Sequence, residues 1–360
     1  MEMASFNFSA RIDKLCKKIG AENLDAVIVY KAANVHYFSG FRGDSSILLI
    51  GKNFRKFITD GRYIEQAKLQ TKNFEIIEHR NGLFKKLAEE IKITGAKILG
   101  FEGRVVTFDE YTSLKENLSG VELKSVEIDS LRQIKDAAEI SCIRRACEIA
   151  DKSFVEMLNF IKPNITEIEI AAELENLMRR YGSEKPAFDT IVASGIRGSL
   201  PHGTATDKKI SAGEFVTMDF GAMFNGYCSD MTRTICVGKA NDRQREIYDA
   251  VLDAQLHGLK IIKSGESCKA IDSAVREKLS RAGLDKYFTH ALGHSLGLEI
   301  HEEPRLSRLC DKILKTNMIV TDEPGVYIEK FGGLRIEDTV LVKDGTAETL
   351  TNSPKHLIEI

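Results

Sequence analysis

Nowhere in the 360 residues is there an apolar run long enough to span a membrane. The opening stretch MEMASFNFSARIDKLCKKIG has no apolar core set between a basic head and a small-residue cleavage site. Both absences lead to the expectation of a cytoplasmic protein with no membrane partner. Neither sign of charge dominates, since 51 Lys plus Arg stand against 53 Asp plus Glu for a net charge of -2. Without a basic excess there is little to draw phosphate backbones, so nucleic acid is not expected as a partner. The seven cysteines are odd in number and form no CxxC pair. That argues against a zinc knuckle or a disulfide frame and for reduced, mostly buried thiols. No low-complexity tract occurs.

What is present is an ordinary globular composition, 43% hydrophobic, over a length that favours two domains. Strand-like runs at 25–30, 46–50, 56–59, 74–78 and 97–101 alternate with helical stretches at 62–69 and 83–93, the pattern of a small α/β layer. Thr107 with Glu110 reads as a capping box, and the strand VELKSV closes this layer near Val126. The expected division is therefore 1–126 and 127–360. The second part opens on a long amphipathic helix from Ile134, with Ile140, Ile143, Ala146 or Cys147, and Ala150 on one stripe, ending before Pro163. A second helix follows, capped by Thr166 and Glu169, then strands, two more helices at 243–262 and 269–282, and further strands. The order suggests a pseudo-repeat.

The second part is organised around FVTMDFGAMFNGYCSDMTRT, residues 215–234. Asn225-Gly226 favours the positive φ angles of a tight hairpin turn. A two- or four-residue turn then puts Asp219 and Asp230 on one face of the ribbon, opposite or one diagonal step apart. Two carboxylates side by side among apolar neighbours call for a cation or strong donors. Alone, the pair could equally be solvated turn flanks.

Three later runs carry most of the other reactive-looking polar residues: THALGHSLGLEIHEEP (289–304), TDEPGVYI (321–328) and GGLRIEDTVLV (332–342). Joining the hairpin pair with His294, Glu323 and Glu337 gives four carboxylates and one imidazole, a balance for two divalent cations. Metal coordination would bring the pKa of a water there from ~16 toward ~7. The oxygen-rich set suits a hard or borderline ion, Mn²⁺ first, with Co²⁺ or Zn²⁺ as alternatives. Pro324-Gly325 fixes the backbone at Glu323, and Glu337 reads as part of the apolar strand LRIEDTVLV.

The order of FDTIVASG, LPHG, MDFG with GYCSDMTRT, GHSLGLEIHEEP, EPGVY and GGLRIEDT resembles the Xaa-Pro peptidases of the aminopeptidase P and prolidase type. SGFRGDSSILLI and FITDGRYIEQA look like the creatinase-type N-terminal domain. The resemblance implies an α+β chain in which a small α/β creatinase-like domain precedes a pita-bread catalytic domain. It implies Asp219, Asp230, His294, Glu323 and Glu337 as ligands of two metal ions, His202 beside the substrate, and His301 at the scissile bond. His290, Tyr327 and Arg335 would border the site, binding substrate or supporting ligands. Read alone, His202 is a loop histidine, and Arg335 a partner for a carboxylate. Many relatives have glycine where this chain has Ser295.

The implied activity is removal of an N-terminal residue preceding proline, an aminopeptidase reading. Two alternatives are a dipeptidase confined to Xaa-Pro and a non-catalytic binding module. Peptides with proline at the second position would be the substrates, and a homodimer the assembly.

Overall fold

The computed structural model describes residues 5–360, so the first four residues of the N-terminal stretch lie outside the described residues. It divides into two compact units at Arg132 and Gln133. This boundary lies beyond Val126 because the intervening chain is tied to the first unit. Asp129 binds Lys31 and Asn34, and Arg132 donates to Asn34 at 2.9 Å.

The first unit runs α1 Phe8–Ala21, β1 Ala26–Val29, α2 Ala32–Ser39, β2 Ser46–Gly51, β3 Arg55–Asp60, α3 Ile64–Gln70, β4 Glu75–His79, α4 Leu83–Thr94, β5 Ile98–Phe101, α5 Phe108–Asn117 and β6 Glu122–Ser125. Its mixed sheet has the order β4-β3-β2-β1-β5-β6. The strands lie where the apolar runs predicted. Helix α2 was not predicted, since AANVHYFS has neither a polar face nor a side-chain cap at its start.

The second unit comprises α6 Ala137–Met157, α7 Glu167–Arg180, β7 Ile191–Ser194, β8 Phe215–Phe220, β9 Met223–Phe224, β10 Tyr227–Cys228, β11 Met231–Cys236, α8 Asp242–Ile261, α9 Cys268–Arg281, β12 Gly293–Ser295, β13 Glu302–Leu306, β14 Ile319–Asp322, β15 Gly325–Ile328, β16 Gly332–Arg335, β17 Asp338–Val342 and β18 Ala347–Thr349. Capping boxes form at Thr107, Asp136, Thr166 and Asn241. Each is worth ~1 kcal/mol of helix stability.

Two apolar cores fill this unit. One is built from α6, α7 and the sheet β11-β8-β7, and the other from α8, α9 and the sheet β13-β12-β14-β17-β18. The strands carrying the polar motifs therefore meet between two helix-backed halves. The repeated order of elements has a physical counterpart: each helix pair buries its own strands. Among the described residues no helix is long and apolar enough to cross a membrane. All seven cysteines are free thiols, five of them buried.

Candidate metal and active site

The central hairpin turns at Asn225 and Gly226, with φ of 49° and 78°, the backbone of a two-residue turn with both centres left-handed. Phe224 pairs with Tyr227, and Asp219 pairs with Thr232. Asp230 is therefore one diagonal step from Asp219 on the same face. Their side chains point inward, at 9% and 5% exposure.

Glu337 joins them. Ligand-type oxygens of Asp219, Asp230 and Glu337 all lie within 4.8 Å of one another. Its position corrects the sequence expectation of a strand interior. Residues 336–337 form the break where the chain leaves the β15–β16 ribbon and enters the β14–β17 pairing. There the Glu337 N–H donates to Thr232 O at 3.1 Å. Thr232 Oγ1 in turn donates to Glu337 Oε2 at 2.6 Å. A strand change thus aims Glu337 at the hairpin.

His294 occupies the centre of β12. Its Nδ1 lies 3.0 Å from Ser295 O. A carbonyl only accepts, so Nδ1 carries the proton and Nε2 presents its lone pair. That nitrogen faces Asp230 Oδ2 at 3.4 Å and Glu323 Oε1 at 3.5 Å. The Ser295 substitution leaves the carbonyl that orients the ring in place. Glu323 follows β14 directly, and its Oε1 accepts from Thr321 Oγ1 at 3.0 Å.

The electrostatics call for positive charge. Burial, then the neighbouring Asp219, raises the Asp230 carboxyl well above its ordinary range. Burial, then Asp230, does the same to Glu337. Burial also raises Glu323, with His294 opposing. Asp219 Oδ1 is buried with no hydrogen-bond partner. Arg335 supplies one compensating cation, donating from Nη2 to Asp219 Oδ2 at 2.5 Å. That leaves three raised carboxyls, an orphaned oxygen and an imidazole lone pair converging. Such a donor set fits hard divalent cations.

Arg335 also organises the border. Its Nη1 donates to Tyr327 Oη at 2.6 Å and to Pro201 O at 3.2 Å, while its Nε donates to Thr232 Oγ1 at 3.0 Å. Tyr327 lies 2.8 Å from His290 Nε2, and His290 Nδ1 lies 2.8 Å from Ala291 O. Burial, followed by Arg335, lowers the His290 pKa to about 4, so its Nε2 accepts the tyrosine proton. His290 and Tyr327 therefore serve Arg335 in one chain.

A cavity of ≈ 430 Å³ opens onto these groups. His202 and His301 both line it and are exposed. The His301 ring stands edge-on to His294, 4.4 Å between centroids. Although the residue as a whole is exposed, partial burial of its ring, then His294, Arg305 and His202, lower its pKa to about 4. Of the ten residues singled out from sequence, Tyr327 alone does not line the cavity; it touches the site through Arg335. Not singled out from sequence were Thr232 and Thr321, which donate to Glu337 and Glu323, and Arg305 and Asp189, which line the cavity. Thr232, two residues after Asp230, and Arg305, directly after HEEP, were the nearest signals.

The Metallopeptidase family M24 profile matches residues 141–344, and the Creatinase/Prolidase N-terminal domain profile matches residues 11–134. The chain is 42% identical over 352 residues to the Xaa-Pro dipeptidase of Pyrococcus furiosus, covering 97% of this chain and 99% of that one. Among solved structures it is similar to an Xaa-Pro dipeptidase from Bacillus anthracis, with TM-score 0.96, 41% identity, and 98% and 100% of the two chains covered. It is also similar to an X-Pro aminopeptidase from Thermotoga maritima, with TM-score 0.91, 38% identity, and 97% and 100% covered. The chain belongs to metallopeptidase family M24, a hydrolase with a creatinase/prolidase N-terminal domain ahead of a pita-bread domain.

Proposed function

We propose that this protein is a divalent-metal Xaa-Pro dipeptidase. Sequence motifs alone favoured the aminopeptidase, and two observations reverse that order. Relatives matched over nearly their whole length carry the dipeptidase name. The observation that carries the reading is Arg305, which is paired across the sheet with His294, lines the cavity and is exposed. Among the described residues it has no ion-pair partner. Directly opposed strand residues project to the same face, so its guanidinium rises beside the reacting centre. A dipeptide ends in a carboxylate one residue beyond the scissile bond, and Arg binds carboxylates in a two-point fork. A longer peptide brings a neutral amide to that place.

Asp219, Asp230, His294, Glu323 and Glu337 would hold the metal, which we assign as two Mn²⁺ ions, Co²⁺ or Zn²⁺ being able to substitute. Bound there, the cations would supply Lewis acidity and acidify water toward neutrality. The chain's own groups do the rest. Glu323 takes a proton from the attacking water and returns it to the proline nitrogen. His301 is neutral at pH 7 and donates an N–H to the carbonyl oxygen as it becomes negative. The X–Pro bond lacks an N–H, and nothing in this arrangement depends on one. His202 closes the substrate side. A homodimer belongs to the same proposal and rests on the family resemblance.

Rates on Xaa-Pro and Xaa-Pro-Yaa decide between the two peptidase readings. The wild type should favour the dipeptide strongly. Arg305→Ala should cut kcat/KM on Xaa-Pro at least tenfold, mainly through KM, the loss of one charge-assisted pair. Equal wild-type rates on both peptide lengths would restore the aminopeptidase.

A further inference from the structure

The cavity wall holds two charged groups that neither the ligand set nor Arg335 uses. One is Arg305. The other is Asp189, an exposed carboxylate that has no hydrogen bond or ion pair among the described residues. All other carboxylates in the lining, Asp219, Asp230, Glu323 and Glu337, belong to the buried cluster. Asp189 therefore stands as a negative charge offered to whatever enters the cavity.

Its place relative to the reacting centre follows from the sheet. Ile191, the first residue of β7, pairs with Asp219, and both Ile191 and Asp189 line the cavity. Asp189 lies two residues before that pairing, on the stretch that leads into β7, so its backbone is at most ~7 Å from the strand position opposite Asp219. A Lys or Arg side chain has a comparable reach from its own Cα. In the proposed reading the carboxylate of a dipeptide faces Arg305, and its ammonium would face the buried carboxylate cluster of Asp219, Asp230, Glu323 and Glu337. The side chain of the residue before proline is left to meet Asp189.

We propose that Asp189 is a specificity residue that selects dipeptides with a cationic side chain before proline, Lys-Pro and Arg-Pro. The proposal rests on the dipeptidase reading and deepens it. Phe188 and Ile191 flank Asp189 in the lining and supply apolar surface for the aliphatic stem of such a side chain.

The test is a kcat/KM panel over Lys-Pro, Arg-Pro, Met-Pro and Glu-Pro with wild type and two variants. Wild type should rank Lys-Pro and Arg-Pro above Met-Pro and Glu-Pro last. Asp189→Asn should lower the ratio of Lys-Pro to Met-Pro by about fivefold, the size of one partly solvated ion pair. Asp189→Lys should place Glu-Pro above Lys-Pro. A ratio that neither variant moves, on an enzyme that cleaves these dipeptides, overturns the proposal and leaves the dipeptidase reading standing. A wild type that cleaves none of the four, yet cleaves longer Xaa-Pro peptides, contradicts the dipeptidase reading and this proposal with it.

Discussion

Glu323→Gln should lower kcat on Xaa-Pro substrates by 10³-fold or more while the protein stays folded. Two losses combine at this position. Gln cannot carry a proton from water to the proline nitrogen, a contribution of ~10²–10⁴ in general acid–base catalysis. It also removes one negative charge from a site that needs four to balance two divalent cations. The fold should not suffer. Glu323 is held by a single hydroxyl donor, Thr321 Oγ1, and burial already disfavours its charge. In chelated protein, the neutral amide should therefore melt at the wild-type temperature or above. Circular dichroism melts beside steady-state kinetics check both halves. Undiminished turnover in this variant would remove Glu323 from the chemistry.

Gly221→Ala should be severely disruptive to the catalytic unit. A Cβ on Gly221 would stand 2.0 Å from Ser229 O and 2.9 Å from Phe188 Cε1. The obstacle is backbone on the opposite arm of the hairpin, so no side-chain rotation relieves it. That carbonyl immediately precedes Asp230, and displacing it moves a ligand. Overpacking of this kind costs ~3 kcal/mol or more, which should lower the Tm of this unit by on the order of 10 °C and weaken divalent-ion affinity together. Gly20→Ala is the control. It lies within α1 with nothing within 4 Å of the added Cβ, where alanine favours the helix by up to ~1 kcal/mol. Equal melts for the two variants would mean that the hairpin arms are not held as closely as the structure places them.

The hairpin explains why so much of the site was legible. Its face parity follows from a strand period of two and a turn fixed by Asn225-Gly226, so the relation of Asp219 to Asp230 needs no tertiary information. His294, Glu323 and Glu337 lie far apart in sequence and came from motif and charge balance. No local rule places Glu337, whose direction comes from the strand change at 336–337 and its contact with Thr232. Arg305 and Asp189 were illegible for a different reason. Each is an unremarkable surface charge in sequence, and only the folded chain shows it lining the cavity with no ion-pair partner among the described residues. Helix α2 escaped because its residues are buried on nearly all sides, which erases the amphipathic period.

The most direct test of the account is to titrate divalent metal into chelated protein while following both binding and hydrolysis of an Xaa-Pro dipeptide. The chelated protein should be inactive, with binding saturating at two Mn²⁺ per chain and activity returning alongside it. Asp230→Asn should abolish the tight phase. A folded wild type that binds no divalent ion, or that hydrolyses the dipeptide at full rate after chelation, would contradict it.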